Sequence, residues 1–370
     1  MTRKTLLFRC PPGGQFHFGR IALDDKTSLD ATTPMYHSDT LSSAIVATAF
    51  RVFPQQAETV LDWFKTGQVR FSSFFHCLET EEVRKEEKEG GAILSSTFRH
   101  LFFLPKPAHL DTGNFTEPKK IRKVLFISKG VWEAGILPDK WLQKGYRIID
   151  GKFLVLEEEL AQLGCPGLPA GYKLFEESTV PKVFIHKLER EDNLYFHANI
   201  FLPPNVSFAK KDDAIKGFHL RVHFYAMAEH GEAVDWQIIQ SLLEIIADEG
   251  IGGERSVGCG RLLGVEALDS FGISVQEESS LACTLNLVSP ADEVDLGKLK
   301  AWKTLTRGGR FYKSQENFKR LKMVAEGALT EAGLQGRHWD ISNSGGQASL
   351  RFGHALTLPV SKNYADYGSF

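Results

Sequence analysis

Residues 250–261, Gly-Ile-Gly-Gly-Glu-Arg-Ser-Val-Gly-Cys-Gly-Arg, constrain this chain more than any other stretch. Gly250, Gly252, Gly253, Gly258 and Gly260 crowd one short segment. A helical pattern runs into it. Val234, Ile238, Leu242 and Ile246 recur every four residues, beside Ile239, Leu243 and Ile245. Asp235 is placed to cap that helix, because its carboxylate can accept from unpaired amides. The apolar residues 262–268 predict a strand leaving the segment. The order is helix, glycine loop, strand. Glycine supplies positive φ there and lets a second backbone come close.

Two phosphate loops share this composition, and both are excluded. A dinucleotide fingerprint places Gly-x-Gly-x-x-Gly after a strand and before a helix. Here Arg255 stands where the third glycine belongs, and the elements run in the opposite order. A P-loop carries Lys-Ser/Thr directly after its last glycine. Cys259 and Gly260 follow Gly258 instead. What remains is a glycine turn bearing Glu254, Arg255, Ser256 and Arg261. Backbone amides and guanidinium groups together suit holding a polyanion. A turn that merely packs a helix on a sheet has the same composition, and local chemistry leaves both readings open.

At 370 residues the chain has room for two or three cored domains, and its 42% hydrophobic content is that of a globular protein. The formal net charge of −2 excludes a general basic coat, so nucleic-acid contact must come from local patches. The five cysteines form no C-x-x-C pair, which fits a reducing cytoplasm. Leu6-Leu7-Phe8 is too short for a signal segment, and no membrane-length apolar run follows. The expected location is cytoplasmic, with no membrane partner.

Residues 4–9 predict a strand, broken at Pro11-Pro12-Gly13-Gly14 and resumed over 15–19. Ser38 or Asp39 is placed to cap a helix whose buried stripe is Leu41, Ile45, Ala49 and Val52, and Pro54 ends it. A second short helix is predicted over 57–65. His37-Ser38-Asp39 tempts a catalytic reading, but adjacent side chains diverge, and a helix cap explains them better. The charge run 79–91 is expected to be a solvated loop or insertion. Residues 102–107 predict a strand stopped by proline. Lys119, Lys120, Arg122 and Lys123 could meet phosphates, but a basic, solvated loop is the expectation.

Residues 180–193 predict a strand and turn, with a partner strand over 194–201. Over 218–225, Phe218, Leu220, Val222 and Phe224 alternate with His219, Arg221, His223 and Tyr225. The second set makes a basic, aromatic sheet face that could meet RNA, or a face buried by a second domain. His219 and His223 lack an acidic third ligand, so a zinc site is not expected. Strand alternation restarts near residue 280, and Thr306-Arg307-Gly308-Gly309-Arg310 is a second glycine-arginine turn. A boundary near 268–280 is expected.

In order along the chain stand Phe16-His17-Phe18-Gly19, His37-Ser38-Asp39-Thr40-Leu41, Leu104-Pro105-Lys106-Pro107, Val180-Pro181-Lys182-Val183, the glycine segment, Arg307-Gly308-Gly309, Glu326-Gly327-Ala328 and Arg351-Phe352-Gly353. With these the sequence resembles the fourth-subunit family of the Csm (type III-A CRISPR) effector complexes, within the RAMP superfamily. The resemblance implies an α+β fold of two ferredoxin-like (RRM-like) domains, 1–268 and 269–370, with a projecting β-hairpin and insertions. It implies a non-catalytic antiviral-defence subunit, without cofactor or metal, that caps a CRISPR RNA (crRNA) filament at its 5′ repeat tag. The implied partners are the crRNA, the large polymerase/cyclase-type subunit, the RNA-cleaving RAMP backbone subunit and, indirectly, target RNA. The implied contacts are Gly250, Gly252, Gly253, Glu254, Arg255, Ser256, Gly258, Gly260 and Arg261 of the loop. To these are added His37 and Ser38, then Lys182, His186 and Lys187 of the hairpin, then Arg307 and Arg310. The rival is a RAMP endoribonuclease cutting repeat RNA, with His37 as its general base.

Overall fold

The first strand, Thr2–Arg9, is flanked by Ile215–His230 on one side and Gly264–Leu268 on the other, antiparallel to both. Ile215–His230 then pairs antiparallel with Phe75–Lys88. The sheet therefore runs Gly264–Leu268, Thr2–Arg9, Ile215–His230, Phe75–Lys88. In sequence terms that is fourth, first, third, second. Helix Ser38–Val52 lies in the crossover from first to second, and helix Trp236–Glu249 in the crossover from third to fourth. The sheet continues past Phe75–Lys88 through Gly91–Pro105, Phe126–Ser128, Phe153–Leu156 and Tyr146–Ile149. This computed structural model describes residues 1–19, 31–88, 91–113, 115–164, 167–184, 193–208, 215–268, 271–309, 319–342 and 349–368.

Side-chain alternation gives the sheet two different faces. Lys4, Leu6 and Phe8 share the face on which the later helix starts, where Lys4 Nζ lies 5.6 Å from the Trp236 ring. Leu6 and Lys4 are paired with Ala226 and Ala228, whose small side chains let a helix approach. The helices bury Leu41, Ile45 and Ala49, and Ile239, Leu242, Leu243 and Ile246, as their 3.6-residue periods predict. Val52 is the exception, 40% exposed at the end of its helix. Helix Ala57–Lys65 forms as expected.

The opposite face holds the first correction. The described residues of the run 79–91 are not a solvated loop: 75–88 and 91–105 are two long antiparallel strands paired with each other. The charges are laddered across strands. Glu82 pairs with Arg99 on the facing strand at 2.9 Å and with Arg84 on its own strand at 2.7 Å, and Ser96 donates to Glu81 at 2.8 Å. Glu79 is fully buried. The basic run 119–123 is also not a loop, but lies in the short helix Pro118–Lys123.

The later part of the chain repeats the strand order. Its four-stranded sheet runs Thr357–Ser361, Glu278–Thr284, Leu329–Glu331, Leu299–Ala301, again fourth, first, third, second. The first crossover carries only the short helix Glu293–Lys298, and the second carries the strand pair Trp339–Asp340 and Leu350–Arg351. Leu285, Leu356, Leu358 and Val360 belong to the same buried apolar cluster as Leu6 and Phe8. The architecture is mixed α+β. Among the described residues, no helix is long and apolar enough to cross a membrane.

Candidate nucleic-acid interface

Helix Trp236–Glu249 begins as predicted, with Asp235 Oδ1 accepting from the Gln237 amide at 3.0 Å. It ends at Gly250, whose φ is 83°. The loop then folds on itself and on residues 15–18. Ile251 N donates to Gly260 O at 2.8 Å, Gly253 N to His17 O at 2.9 Å, and Gly260 N to Gln15 O at 2.7 Å. Two glycines make this possible. A Cβ on Gly252 would stand 2.5 Å from His17 O, and one on Gly260 would collide with Ile251 O, both at positive φ. The glycines therefore serve close backbone packing. Their effect is to present Arg255, Ser256, Val257, Gly258 and Arg261 outward, all exposed. Arg255 reaches back to Gly250 O at 3.4 Å and lies 3.9 Å from Glu249. Glu254 is half-buried at φ 57°.

Strands Glu176–Phe184 and Asn193–Phe201 form the predicted hairpin stem, paired with Gln15–Phe16. His17 joins stem and loop, its Nδ1 donating to Ala198 O at 2.7 Å and its ring 4.8 Å from that of His197. Cys259 Sγ donates to Asn199 Oδ1 at 3.7 Å. Lys182 is half-buried on the stem. His197 is buried with no partner for either ring nitrogen. Burial first, then the charges of Lys182 and His17, hold it below the usual histidine range. Val183, Leu194 and Phe196 leave the stem's other face apolar and open, at 52, 61 and 46% exposure. His186 and Lys187 lie outside the described residues.

His37, Ser38 and Arg307 occupy a different setting, a polar joint between the early and late parts of the chain. The helix cap is His37, without a side-chain cap bond, so neither Ser38 nor Asp39 caps. Ser38 Oγ instead accepts from Leu287 N at 3.1 Å. Asp39 accepts from Arg307 Nε at 2.9 Å, Arg307 Nη2 at 3.1 Å and Arg351 Nη1 at 2.9 Å. His37 Nδ1 donates to Glu326 Oε1 at 2.7 Å, and the Ser73 hydroxyl donates to the same oxygen. Burial alone would raise the Asp39 carboxyl, but Arg307 and then Arg351 hold it well below the carboxylate range. Glu326 is held low in the same way, by His37 and Ser73 against burial. A second seam closes nearby, where Lys65 O accepts from His338 at 3.0 Å and His354 at 2.8 Å. His37, Arg307 and Glu326 also line a cleft of about 410 Å³ with Thr33, Glu177 and Leu305. Arg310 lies outside the described residues.

The strand face of His219, Arg221, His223 and Tyr225 is engaged within the protein. Glu79 accepts from Arg9 at 3.0 and 3.1 Å, His100 at 3.0 Å and His223 at 3.3 Å. His223 Nδ1 accepts from Cys10 N at 3.0 Å, which leaves the proton on Nε2, facing Glu79. Burial raises Glu79, but His100, His223 and Arg9 outweigh it and keep it ionised. Arg221 pairs with Glu81 at 2.6 Å, His219 meets Ser207 at 2.9 Å, and Phe271 covers Tyr225 and Phe102. Sequence reasoning missed Glu79. The period-two order of Phe75, Cys77 and Glu79 against His76, Leu78 and Thr80 was its signal. Among the described residues, no cluster of three His, Cys, Asp or Glu groups could hold a metal.

No family model matches the chain. The "CRISPR system Cms protein Csm4" of Methanocaldococcus jannaschii is 23% identical over 376 residues, spanning 92% of this chain and 89% of its own. Among solved structures, a chain in the crystal structure of the Csm3–Csm4 subcomplex of the type III-A CRISPR–Cas interference complex has a TM-score of 0.61 at 18% identity. The match covers 97% of this chain and 99% of that one. A chain in the Csm1–Csm4 cassette with pppApA has a TM-score of 0.50 at 15% identity, over 97% and 98%. At such identities these two attest the fold.

Proposed function

We propose, from a likeness to the fourth Csm subunit that the curated relative and the shared fold bear out, that this protein is a non-catalytic crRNA-binding subunit of a type III-A effector. It caps the filament at the 5′ repeat tag and bridges the large polymerase/cyclase-type subunit to the RAMP backbone. The observation that carries the RNA contact is the glycine loop. It is locked by Gly252 and Gly260 against residues 15–18, and it holds Arg255, Ser256 and Arg261 in solvent beside the stem that bears Lys182. A pre-shaped loop loses little freedom on binding, so its charge-assisted contacts go further toward affinity. The names of the solved complexes supply the partner reading: Csm4 stands there with Csm3 and with Csm1.

The repeated fourth-first-third-second strand order supports two ferredoxin-like domains, 1–268 and 269–370. Strand Gly91–Pro105 and the elements from there up to the stem are insertions in the first. In the second, the short helix Glu293–Lys298 and the strand pair 339–351 stand where two full helices would pack.

One observation favours the nuclease instead: His37 is oriented by Glu326 in a cleft that also holds Arg307. A general base beside a guanidinium is what RNA cleavage needs. Against it, His37 is only 5% exposed, and Arg307 is committed to Asp39. Incubating the purified chain with repeat RNA separates the two. The scaffold leaves RNA intact, whereas cleavage lost in His37→Ala with binding retained establishes the nuclease.

A further inference from the structure

A second cleft, of about 330 Å³, lies where helix Ser38–Val52 passes the end of helix Trp236–Glu249 and the glycine loop. That is the small end of ligand-pocket size, about 300–1,000 Å³, and suits one nucleotide. Ala44, Ala47 and Thr48 line it from the first helix, with Gly250 and Gly252 from the loop. The small side chains keep it open. At its rim stand Arg51 and Arg255, 54 and 51% exposed, with Glu249 between them.

The electrostatics decide what fits. Arg51 pairs with Glu249 at 2.6 Å, and Arg255 lies 3.9 Å from the same carboxylate. Two guanidinium groups and one carboxylate leave one positive charge. The ends of helices Ser38–Val52 and Trp236–Glu249 both lie beside them and each takes back about half a charge. The resting rim is therefore near neutral, and a phosphodiester binds by displacing Glu249 from the two guanidinium groups. Glu249 holds both guanidinium groups at the cleft mouth before any ligand arrives. The fork geometry of arginine matches two oxygens of a phosphate. The sequence reading assigned Arg255 to RNA but gave Arg51 no role.

We infer that Arg51 and Arg255 form a two-guanidinium seat for one phosphodiester of a single-stranded RNA, with the attached nucleoside over the Ala44–Ala47 floor. This rests on the crRNA-binding reading and adds a position to it. In it Glu249 is an internal competitor, which sets the strength of the seat.

The test uses the full chain and a single-stranded RNA oligonucleotide carrying a repeat-derived 5′ end, titrated by fluorescence anisotropy across a salt series. Arg51→Ala is expected to weaken binding about tenfold or more. It is also expected to flatten the dependence of log affinity on log salt by about 0.7, one single-strand phosphate contact. Arg51→Lys recovers the salt slope and only part of the affinity. Glu249→Gln removes the competitor and tightens binding. Thermal unfolding of each variant reports the fold. Wild-type binding with the slope unchanged in Arg51→Ala, or binding weakened in Glu249→Gln, overturns the seat and leaves the RNA-binding reading standing. Absence of binding by the wild type, alone and with its neighbouring subunits, overturns both.

Discussion

Asp39 and Arg307, 268 residues apart in the chain, form a two-point ion pair with the carboxylate fully buried. Arg351 adds a third bond to Asp39 and donates onward to Gly308 O at 2.7 Å. Several of the stretches that carry the resemblance to the fourth Csm subunit meet here. Asp39, Arg307 and Arg351 come from three of them, and Glu326 from a fourth. Gly327 O accepts from Ala108 N at 2.7 Å, just past Leu104-Pro105-Lys106-Pro107. Much of that resemblance thus records how the early and late parts of the chain are joined.

Removing the shared acceptor strands two guanidinium groups. Asp39→Asn is expected to cost about 3–5 kcal/mol, the range for breaking a buried pair. Arg307→Lys should be nearly as harmful, because lysine cannot make the two-point contact. Urea unfolding measures both. A loss below about 1 kcal/mol would show that the pair does not join the two parts.

The same joint has a pH signature. The Asp39 carboxyl is held well below its unfolded value, so its contribution is complete above the unfolded range. It is lost as pH falls from about 4 toward the lower folded value. Wild type should lose stability faster than Asp39→Asn over that acid window. Parallel pH profiles contradict this.

His76 predicts a separate acid effect. It is fully buried among Phe126, Phe153, Phe175 and Phe224, and neither ring nitrogen has a partner. Burial, with a smaller push from Lys152, lowers its pKa to about 3. The unfolded chain therefore binds a proton that the folded chain refuses, between about pH 6.5 and 3. Stability falls with pH across that window, by at most about 1.4 kcal/mol per unit from this group. His76→Phe should remove that slope, which thermal unfolding from pH 7 to 4 measures.

The loop glycines differ in what they tolerate. Gly258 has φ 92°, with nothing within 4 Å of an added Cβ, so Gly258→Ala carries backbone strain alone, about 1–2 kcal/mol. Gly260→Ala adds a collision with Ile251 O and should cost more, while also shifting Arg261. Equal losses in the two variants would contradict the close packing of the loop.

The three longer helices were legible because their apolar period is strong, and Asp235 because its cap is local. Asp39 was not, although it stands in the first turn of its helix. Its oxygens are taken by arginines 268 and 312 residues away, which no local reading sees. The run 79–91 failed for the same reason. Its charges resemble a solvated loop until Arg9, His100 and His223 converge on Glu79. The glycine loop was half legible. Its exposed arginines follow from composition, but its packing on residues 15–18 needed the fold. Arg51 had no signal, since its neighbour Arg255 lies on another element.

The most direct test of the account is the RNA the protein holds in the cell. The chain would be isolated with its neighbouring subunits from cells that carry repeat arrays, and the 5′ ends of the bound RNA sequenced. The account predicts one uniform, repeat-derived 5′ end that remains protected from nuclease only when this chain is present. Its Arg255→Ala variant should lose that protection while the complex still assembles. Bound RNA with scattered 5′ ends, or a protected tag in complexes lacking this chain, would contradict it.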